Sequence, residues 1–266
     1  MTSKTLFLAF LTVFSFWSLT PQKGYSAEVQ SPTCPCSTSS EVVEKIVLKL
    51  LDKNPKIVLT ALKKAVEQEE KEKLQDQEQL VQKHKAELLA PNPSLPTSGN
   101  PKGDIKIVAF FDYQCGYCKK SEQTLADILK KDPNVQVIYK EMPIFGKESN
   151  TLSQIALSAQ IQGKYLCLHT SFMNHKGPLT DPVAFNLAEK CGLDLAQLKK
   201  DMTSENVQKS LSQNKQLAET LQIEAAPFFI VGEKIVPGFL SQETLQKAIS
   251  EQRNPSKPAL SPSSSH

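Results

Sequence analysis

The 266-residue sequence has few aromatic residues suited to base stacking, with one Trp and five Tyr, and no dense stripe of Lys and Arg. Its 31 basic and 28 acidic residues give a formal net charge of +3. Nucleic-acid-binding proteins normally concentrate positive charge on one face or along one helix. The near balance of charge therefore argues against a nucleic-acid-binding protein.

Long apolar runs are also scarce, since only the first residues contain one. There Lys4 precedes LFLAFLTVFSFWSL, and the polar segment TPQKGYSAEVQ follows. This pattern is typical of a secretory signal peptide with cleavage after Ser26 or Ala27, and an uncleaved membrane anchor is the alternative. We therefore expect residues 1–27 to be a signal peptide and the protein to be exported to the periplasm. The same apolar stretch is also compatible with a loose association with the cell envelope.

In an exported protein the cysteines can form lasting disulfides, because disulfides persist in an oxidising compartment. The spacing of the cysteines suggests three pairs, although spacing alone does not fix connectivity. The candidate pairs are Cys34 with Cys36, Cys115 with Cys118, and Cys167 with Cys191.

The segment from 41 to 90 contains no glycine and is rich in Leu, Lys, Glu, Gln and Ala, which predicts helix. Asn54 and Pro55 are typical of a helix end followed by a new start, so we expect two helices. Apolar residues lie along one face of the first helix and the start of the second, and later recur at intervals of seven: Val43, Ile46, Val47, Leu50, Leu51, Leu59, Leu62, Val66, then Leu74, Val81, Leu88.

These helices have two alternative partners, because they cannot form a core alone. They pack either on their own globular domain or on a second copy of the chain. We favour the second alternative and interpret residues 28–90 as a dimerisation region. The charged middle, EQEEKEKLQDQEQ, is expected to be a solvated bridge.

Residues 91–103 form a predicted linker, because four prolines in this segment disfavour helix and strand alike. Residues 104–251 then predict an α/β domain with strands at DIKIVAFFDY and NVQVIYK, a helix between them, and a helical insertion at about 149–221. PFFIVGEKIV predicts a hairpin, and a final helix follows. The tail, 252–266, is expected to be disordered.

The stretch QCGYC places two cysteines at positions i and i+3 at a predicted helix start. Their Cα atoms would lie roughly 5–6 Å apart, which suits a disulfide. Cys118 shares a helix face with Leu125 and should be buried, whereas Cys115 should face solvent beside Lys119. Free backbone N–H groups and the helix dipole favour a thiolate at Cys115. The pattern therefore predicts a redox pair in which Cys115 attacks and Cys118 resolves.

A zinc site and a purely structural disulfide are the two alternatives for Cys115 and Cys118. A zinc site would need two further ligands, which Cys34 and Cys36 could supply only across the long helical region, and the histidines show no ligand spacing. A purely structural disulfide fits the spacing but does not explain a position between a buried strand and a helix start. We predict redox catalysis without a metal or an organic cofactor.

FFDYQCGYCKK after a buried strand, the helical insertion, and APFFIVG farther along the chain together resemble the DsbA-like thioredoxin-fold proteins. The resemblance covers about residues 98–251. It implies an α/β thioredoxin fold with an inserted helical subdomain. It also implies that Cys115 is the nucleophile, that Cys118 is the resolving cysteine, and that Pro227 is a cis-proline that helps to hold an extended substrate.

The resemblance also assigns roles to the residues beside these positions. Gly116 and Tyr117 replace the Pro-His pair of the best-known oxidase of the family, and Ala226 stands where many members have Thr or Val. These positions tune redox potential and substrate release in the family, so Gly116, Tyr117 and Ala226 join Pro227 as candidate substrate-binding residues. The preferred direction of electron flow stays open.

The added helices are similar to those of oligomeric relatives, including suppressor-of-copper-sensitivity C-type proteins. This likeness implies a homodimer that acts as oxidase, disulfide isomerase or both on unfolded or misfolded secreted proteins, with a membrane redox partner that reoxidises or reduces the pair. A cell-envelope chaperone or binding protein on the same scaffold is the alternative from another class.

The resemblance bears on the remaining cysteines as well. Some family members have a second disulfide in the insertion, which implies a bond between Cys167 and Cys191, and two buried free thiols are the alternative. Cys34 and Cys36 are too close for a relaxed internal bridge, so they either link protomers or stay reactive.

Overall fold

The computed structural model describes residues 39–89 and 95–254. The chain divides into two compact units, Met1–Thr60 and Ala61–His266. The predictions for residues 1–27, for Cys34 and Cys36, and for the end of the tail lie outside the described residues. Within the described ranges, no helix is both long and apolar enough to cross a membrane.

The described part of the predicted helical region, residues 39–89, contains three helices rather than two: α1 (Ser40–Lys53), α2 (Pro55–Lys83) and α3 (Lys85–Leu89). The break at Asn54 is confirmed, since its backbone N–H donates to carbonyls in the last turn of α1 and Pro55 begins α2. The proline needs no helical hydrogen-bond donor at that position. The third helix was not predicted, because no proline or glycine marks the break before it.

Within residues 39–89 and 95–254, the sheet has five strands in the spatial order β1-β3-β2-β4-β5. β2 and β3 are parallel, and the other neighbours are antiparallel. The strands are β1 (Thr97–Gly99), β2 (Ile105–Phe111), β3 (Val135–Glu141), β4 (Phe228–Val231) and β5 (Lys234–Pro237).

Strand β1 contradicts the expectation that the linker prolines exclude a strand. It pairs with β3 at the edge of the sheet, with Thr97 opposite Ile138. Pro96 precedes it and accepts a hydrogen bond from the backbone N–H of Tyr139 at 2.9 Å. An edge strand has only one neighbour, so a proline beside it removes no hydrogen bond from the ladder.

The helices surround this sheet as the sequence predicts. α4 (Gly116–Lys131) connects β2 to β3, and α10 (Gln242–Arg253) follows β5. The chain thus has the α/β thioredoxin arrangement with a helical insertion between β3 and β4. The insertion consists of α5 (Lys147–Ile161), α6 (Tyr165–Asn174), α7 (Asp181–Lys190), α8 (Leu195–Asp201) and α9 (Glu205–Thr220).

The predicted hairpin and the start of the last helix are confirmed. Val231 pairs with Lys234, so Gly232 and Glu233 form a two-residue turn. Gly232 has φ 63°, a left-handed conformation that glycine adopts without steric cost. Ser241 caps α10, since its Oγ accepts a hydrogen bond from the backbone N–H of Thr244 at 3.1 Å.

Two apolar cores lie on opposite faces of the sheet, because alternate residues of a strand point to opposite sides. Ile107 and Phe111 of β2 face the core shared with α4 and the insertion. Val108 and Phe110 face the second core, which also contains residues of α2, α3 and α9. Each core residue of β2 is almost completely buried.

The second core corrects the expectation for the later part of the helical region. Val81 and Leu88 are each 1% exposed and belong to this core, and Leu74 packs against it. These are the residues spaced by sevens. They pack on their own globular domain, so the alternative that we did not favour is correct for this part of the chain.

The charged middle of α2 is not a solvated bridge throughout. Gln77 is buried, and its side-chain amide donates to the carbonyls of Leu221 at 3.2 Å and Gln222 at 2.7 Å. Both carbonyls lie just after α9, where helix-end carbonyls lack helical partners. Lys73 also pairs with Glu224 at 2.7 Å. Polar residues therefore hold α2 against the domain, which apolar periodicity does not reveal.

The described start of the predicted tail is ordered. Arg253, the last residue of α10, donates hydrogen bonds to the carboxylates of Asp104 at 2.7 Å and Asp132 at 2.7 Å. A guanidinium that binds two carboxylates restrains the helix end. The predicted disorder is therefore wrong for Arg253, and the tail beyond 254 lies outside the described residues.

Candidate active site

The turn between β2 and α4 is organised by Asp112, which is completely buried. Its carboxylate accepts hydrogen bonds from the backbone N–H of Gln114 at 2.8 Å, the backbone N–H of Ile144 at 2.8 Å and the hydroxyl of Ser149 at 2.8 Å. Such bonds compensate a buried carboxylate for the loss of water. The role of Asp112 was not predicted, although an acidic residue directly after an apolar strand is a usable signal in the sequence.

Cys115 is the N-cap residue of α4. Its Sγ accepts a hydrogen bond from the backbone N–H of Cys118 at 3.4 Å and donates one to the carbonyl of Ala226 at 3.5 Å. The helix start therefore supplies the N–H group that sequence analysis expected. The expected exposure is wrong, since Cys115 is only 6% exposed. Ala226, which is distant in sequence and lies shortly before β4, contacts it.

Cys118 lies deeper, with 2% of its surface exposed. Burial raises the pKa of the Cys118 thiol far above its usual range, because a thiolate would lose its hydration. The nearby side chain of Cys115 raises the pKa of the Cys118 thiol further. Both cysteines are in the reduced form. The pair is therefore asymmetric, with a helix-capping sulfur at Cys115 and a protonated, buried thiol at Cys118.

The segment that covers Cys115 contains a cis peptide bond between Ala226 and Pro227. Pro227 is buried immediately before β4, and its carbonyl accepts a hydrogen bond from the backbone N–H of Gly238 at 2.9 Å. Ala226 is partly exposed. The fold thus brings Ala226 and Pro227 to Cys115 from the other end of the domain.

The two residues between the cysteines lie at the rim of the site. Tyr117 is 61% exposed, and its ring centroid lies 6.5 Å from that of Phe239, which is also exposed. A Cβ atom added at Gly116 would meet no atom within 4 Å. The rim therefore presents an exposed aromatic pair, and position 116 has room for a side chain.

The lysines after the motif are engaged with other groups. The ammonium of Lys119 donates to the carbonyl of His175 at 3.1 Å, and partial burial lowers the pKa of Lys119. The ammonium of Lys120 lies 5.3 Å from the centroid of the Tyr117 ring. Their contacts join α4 to the insertion and to the rim.

Glu141, at the end of β3, is a second buried carboxyl group that sequence analysis missed. It accepts hydrogen bonds from the hydroxyls of Tyr113 at 2.9 Å, Tyr165 at 2.7 Å and Ser153 at 2.9 Å. Burial nevertheless raises the pKa of Glu141 to about 8, although these hydrogen bonds oppose the rise. The buried carboxyl group of Glu141 therefore favours its protonated form more than an exposed glutamate does.

His169 connects this carboxyl to the helix that carries the cysteines. Its Nδ1 lies 3.0 Å from the hydroxyl of Tyr113, and its Nε2 lies 3.4 Å from a carboxylate oxygen of Glu122 on α4. The imidazole is 1% exposed. A connected polar network thus joins β3, α4 and the insertion directly behind the motif.

Cys167 and Cys191 form a disulfide, with their sulfurs 2.08 Å apart. Cys167 lies on α6, and Cys191 follows the last residue of α7. The bond that the resemblance implied is therefore confirmed, and the alternative of two free thiols is wrong. It joins two helices of the insertion and lies outside the redox pair.

Residues 106–250 match the family described as DSBA-like thioredoxin domain. The Bordetella parapertussis protein named thiol:disulfide interchange protein DsbA is 29% identical over 146 residues, which cover 53% of this chain and 68% of that protein. A Salinispora arenicola protein named Na(+)/H(+) antiporter NhaA 1 is 20% identical over 153 residues, and the chain spans only 24% of its length.

Solved structures give the same result. A thioredoxin-like oxidoreductase from Silicibacter pomeroyi is 36% identical, with a TM-score of 0.61, and the match covers 63% of this chain and 96% of that chain. Proteus mirabilis ScsC in a transitional conformation is 26% identical, with a TM-score of 0.60, and the match covers 80% of this chain and 95% of that chain. With more than half of its length matched, the chain belongs to the DSBA-like thioredoxin domain family.

Proposed function

We propose that this protein is an exported, periplasmic thiol–disulfide oxidoreductase that acts on unfolded or misfolded secreted proteins through Cys115 and Cys118. The observation that carries the proposal is the asymmetry of the pair. Cys115 caps a helix and faces the carbonyl before a cis-proline, whereas Cys118 is a buried thiol whose pKa is raised. An attacking sulfur and a resolving sulfur need these different surroundings.

In the reducing direction, the Cys115 thiolate attacks one sulfur of a client disulfide. A bond forms between the two sulfurs, and the other client sulfur leaves as a thiolate and takes up a proton. Cys118 then loses its proton and attacks the sulfur of Cys115, which releases the second client thiol. The client gains two electrons, and the protein dithiol loses two as the disulfide forms. Oxidation of a client dithiol follows the same steps in reverse.

Ala226, Pro227, Gly116 and Tyr117 are the proposed substrate-binding positions. Ala226 and Pro227 lie against Cys115, where an extended client chain would pass. Tyr117 and Phe239 form the exposed aromatic rim, which suits apolar client residues. The missing side chain at Gly116 leaves space beside the attacking sulfur.

The apolar faces of α1 and the start of α2 support self-association, and the proposed assembly is a homodimer. Ile46 is 61% exposed and Leu62 is 59% exposed. An amphipathic helix needs a partner for its apolar face, and identical helices are commonly paired across a symmetry axis. Two linked catalytic units would reach several cysteines of one client, which suits isomerase activity beside oxidase activity. A membrane protein that reoxidises or reduces Cys118 and Cys115 would complete the cycle.

The proposal is tested by comparing Cys115→Ser with the wild-type protein. The variant should lose reduction of glutathione disulfide and insulin, because no thiolate remains to attack. A Cys118→Ser variant should instead accumulate mixed disulfides with clients, visible by mass spectrometry. Cells that lack the protein provide a second test. If Cys115→Ser restored their function as well as the wild-type protein does, this result would favour a chaperone or binding protein and would contradict the redox role.

A further inference from the structure

A groove of about 600 Å³ lies between α2 and the segment that leads into β4. This volume is within the range of about 300–1,000 Å³ that ligand sites usually have. One wall contains Leu74 and Gln77 of α2, and the opposite wall contains Ala225, Pro227 and Phe228. We call this feature the α2 groove.

The α2 wall is held firmly in place. Gln77 donates two hydrogen bonds to carbonyls beyond α9, and Lys73 pairs with Glu224 across one end of the groove. Farther along, Val81 and Leu88 are buried in the second core. The groove is therefore formed before any ligand arrives, which lowers the entropy cost of binding.

The α2 groove and the redox pair are linked through Ala226 and Pro227. Pro227 lines it, and the carbonyl of the preceding residue, Ala226, lies 3.5 Å from the Sγ of Cys115. Each extended residue of a polypeptide spans about 3.3–3.6 Å. Two or three residues on one side of a client cysteine bonded to Cys115 are therefore enough to pass this proline and enter the groove.

We propose that the α2 groove binds the part of an unfolded client chain that adjoins the cysteine undergoing exchange. This proposal rests on the redox function above and adds a substrate class, namely clients with apolar residues within a few positions of the reacting cysteine. Both walls have an apolar part, which includes Leu74 and Phe228, and Pro237 also lines the groove. Burial of apolar client side chains against these residues favours binding.

The charged rim refines this substrate class. Three carboxylates line the groove, from Glu67, Glu70 and Glu224, against the two ammonium groups of Lys71 and Lys73. One ammonium is already paired with Glu224. The remaining excess of negative charge favours basic over acidic residues at the edge of the bound segment.

The groove depends on a part of the chain outside the matched family domain. The match begins at residue 106, whereas the α2 wall lies between residues 67 and 77. The N-terminal region therefore contributes a binding wall to the catalytic unit in addition to any role in self-association.

The test uses the full-length reduced protein and three substrates. Two are synthetic peptides with the same pair of disulfide-bonded cysteines, flanked by Leu and Phe in one and by Gly and Ser in the other, and the third is glutathione disulfide. In single-turnover reactions, the wild-type protein should reduce the apolar peptide with a second-order rate constant about tenfold higher than that for the polar peptide. Leu74→Gln should remove most of this preference and leave the glutathione rate unchanged.

Leu80→Gln is the matched control, because Leu80 is also partly buried on α2 and packs on the same core but lies outside the groove lining. It should keep the preference. If both variants lost the preference for the apolar peptide equally, helix packing would explain the effect and the proposed binding in the groove would be wrong. If the wild-type protein reduced both peptides at equal rates, the proposed client binding in the groove would be wrong, and the redox function would be unaffected. Absence of disulfide exchange between the wild-type protein and glutathione in either direction would overturn both proposals.

A second copy of the chain is the competing occupant of the α2 groove. In that case the preference for the apolar peptide should fall as the protein concentration rises, since the copy would displace the peptide. A preference that stays constant over a hundredfold range of protein concentration supports the client segment.

Discussion

Two parts of the N-terminal helical region carry similar apolar faces in opposite surroundings. In α1 and the start of α2, apolar residues such as Ile46 and Leu62 are 61% and 59% exposed. In the later part of α2 and in α3, Val81 and Leu88 are 1% exposed and lie in the second core. Helical periodicity shows that a face needs a partner, and it does not show whether that partner is the same chain. Polar anchors such as Gln77 distinguish the two parts.

The largest expected effect comes from shortening a buried residue of the later part. Leu88→Ala should lower the free energy of unfolding by about 3 kcal/mol, because it leaves a cavity in the second core. Urea denaturation of the full-length protein measures this loss. Leu62→Ala is the control, and its exposed side chain should change the value by less than about 0.5 kcal/mol. Equal effects would contradict the contrast between the two parts.

The free energy of unfolding should depend on pH through Glu141, which lies in the domain that contains the cysteine pair, and not through the exposed helices. The pKa of Glu141 is about 8 when folded and has an ordinary value of 4.5 when unfolded, so the folded state holds the extra proton between these values. This contribution to stability is complete below about pH 4.5 and is lost as the pH rises through about 8.

Glu141→Gln should remove this slope, whereas Glu219→Gln, at an exposed position, should keep it. The measurement is urea denaturation between pH 5 and about pH 8, the range in which the two states bind different numbers of protons. Self-association through the exposed helices should stay constant over the same range. A slope that persists in Glu141→Gln would assign the titration to another group.

Gln77→Ala should lower the free energy of unfolding by about 1–2 kcal/mol, because two carbonyls after α9 lose their donor. Hydrogen exchange should rise at the backbone amides of α2 and at the end of α9. Gln75→Ala is the matched control, since Gln75 is exposed on the same helix. A similar effect of both variants would mean that helix propensity, and not the anchor, holds α2.

The smallest effect on unfolding is expected from Ile46→Glu, within about 0.5 kcal/mol, because the side chain is already exposed within one chain. The same variant should dissociate the proposed homodimer, since a charge would enter an apolar interface. Light scattering during size-exclusion chromatography measures both species. Lys49→Glu, on the same helix, should leave the assembly intact, and a wild-type monomer would refute self-association.

The local features of the catalytic unit were predictable from the sequence. Strand, motif and helix are consecutive, so apolar periodicity and the spacing of Cys115 and Cys118 place them correctly. The burial of Cys115 was not predictable in this way, because Ala226 covers it from a position more than a hundred residues later. Asp112 and Glu141 were missed for the same reason, since their partners come from separate elements.

The contact between Arg253 and Asp104 places the end of α10 beside the start of β2. β2 begins beside this contact at Ile105 and delivers the cysteine motif only after Phe111, at its far end. A seven-residue strand is about 20 Å long. A fluorophore or surface linker attached just after Arg253 would therefore sit at the opposite edge from the reacting sulfur, where immobilised protein could still receive large clients.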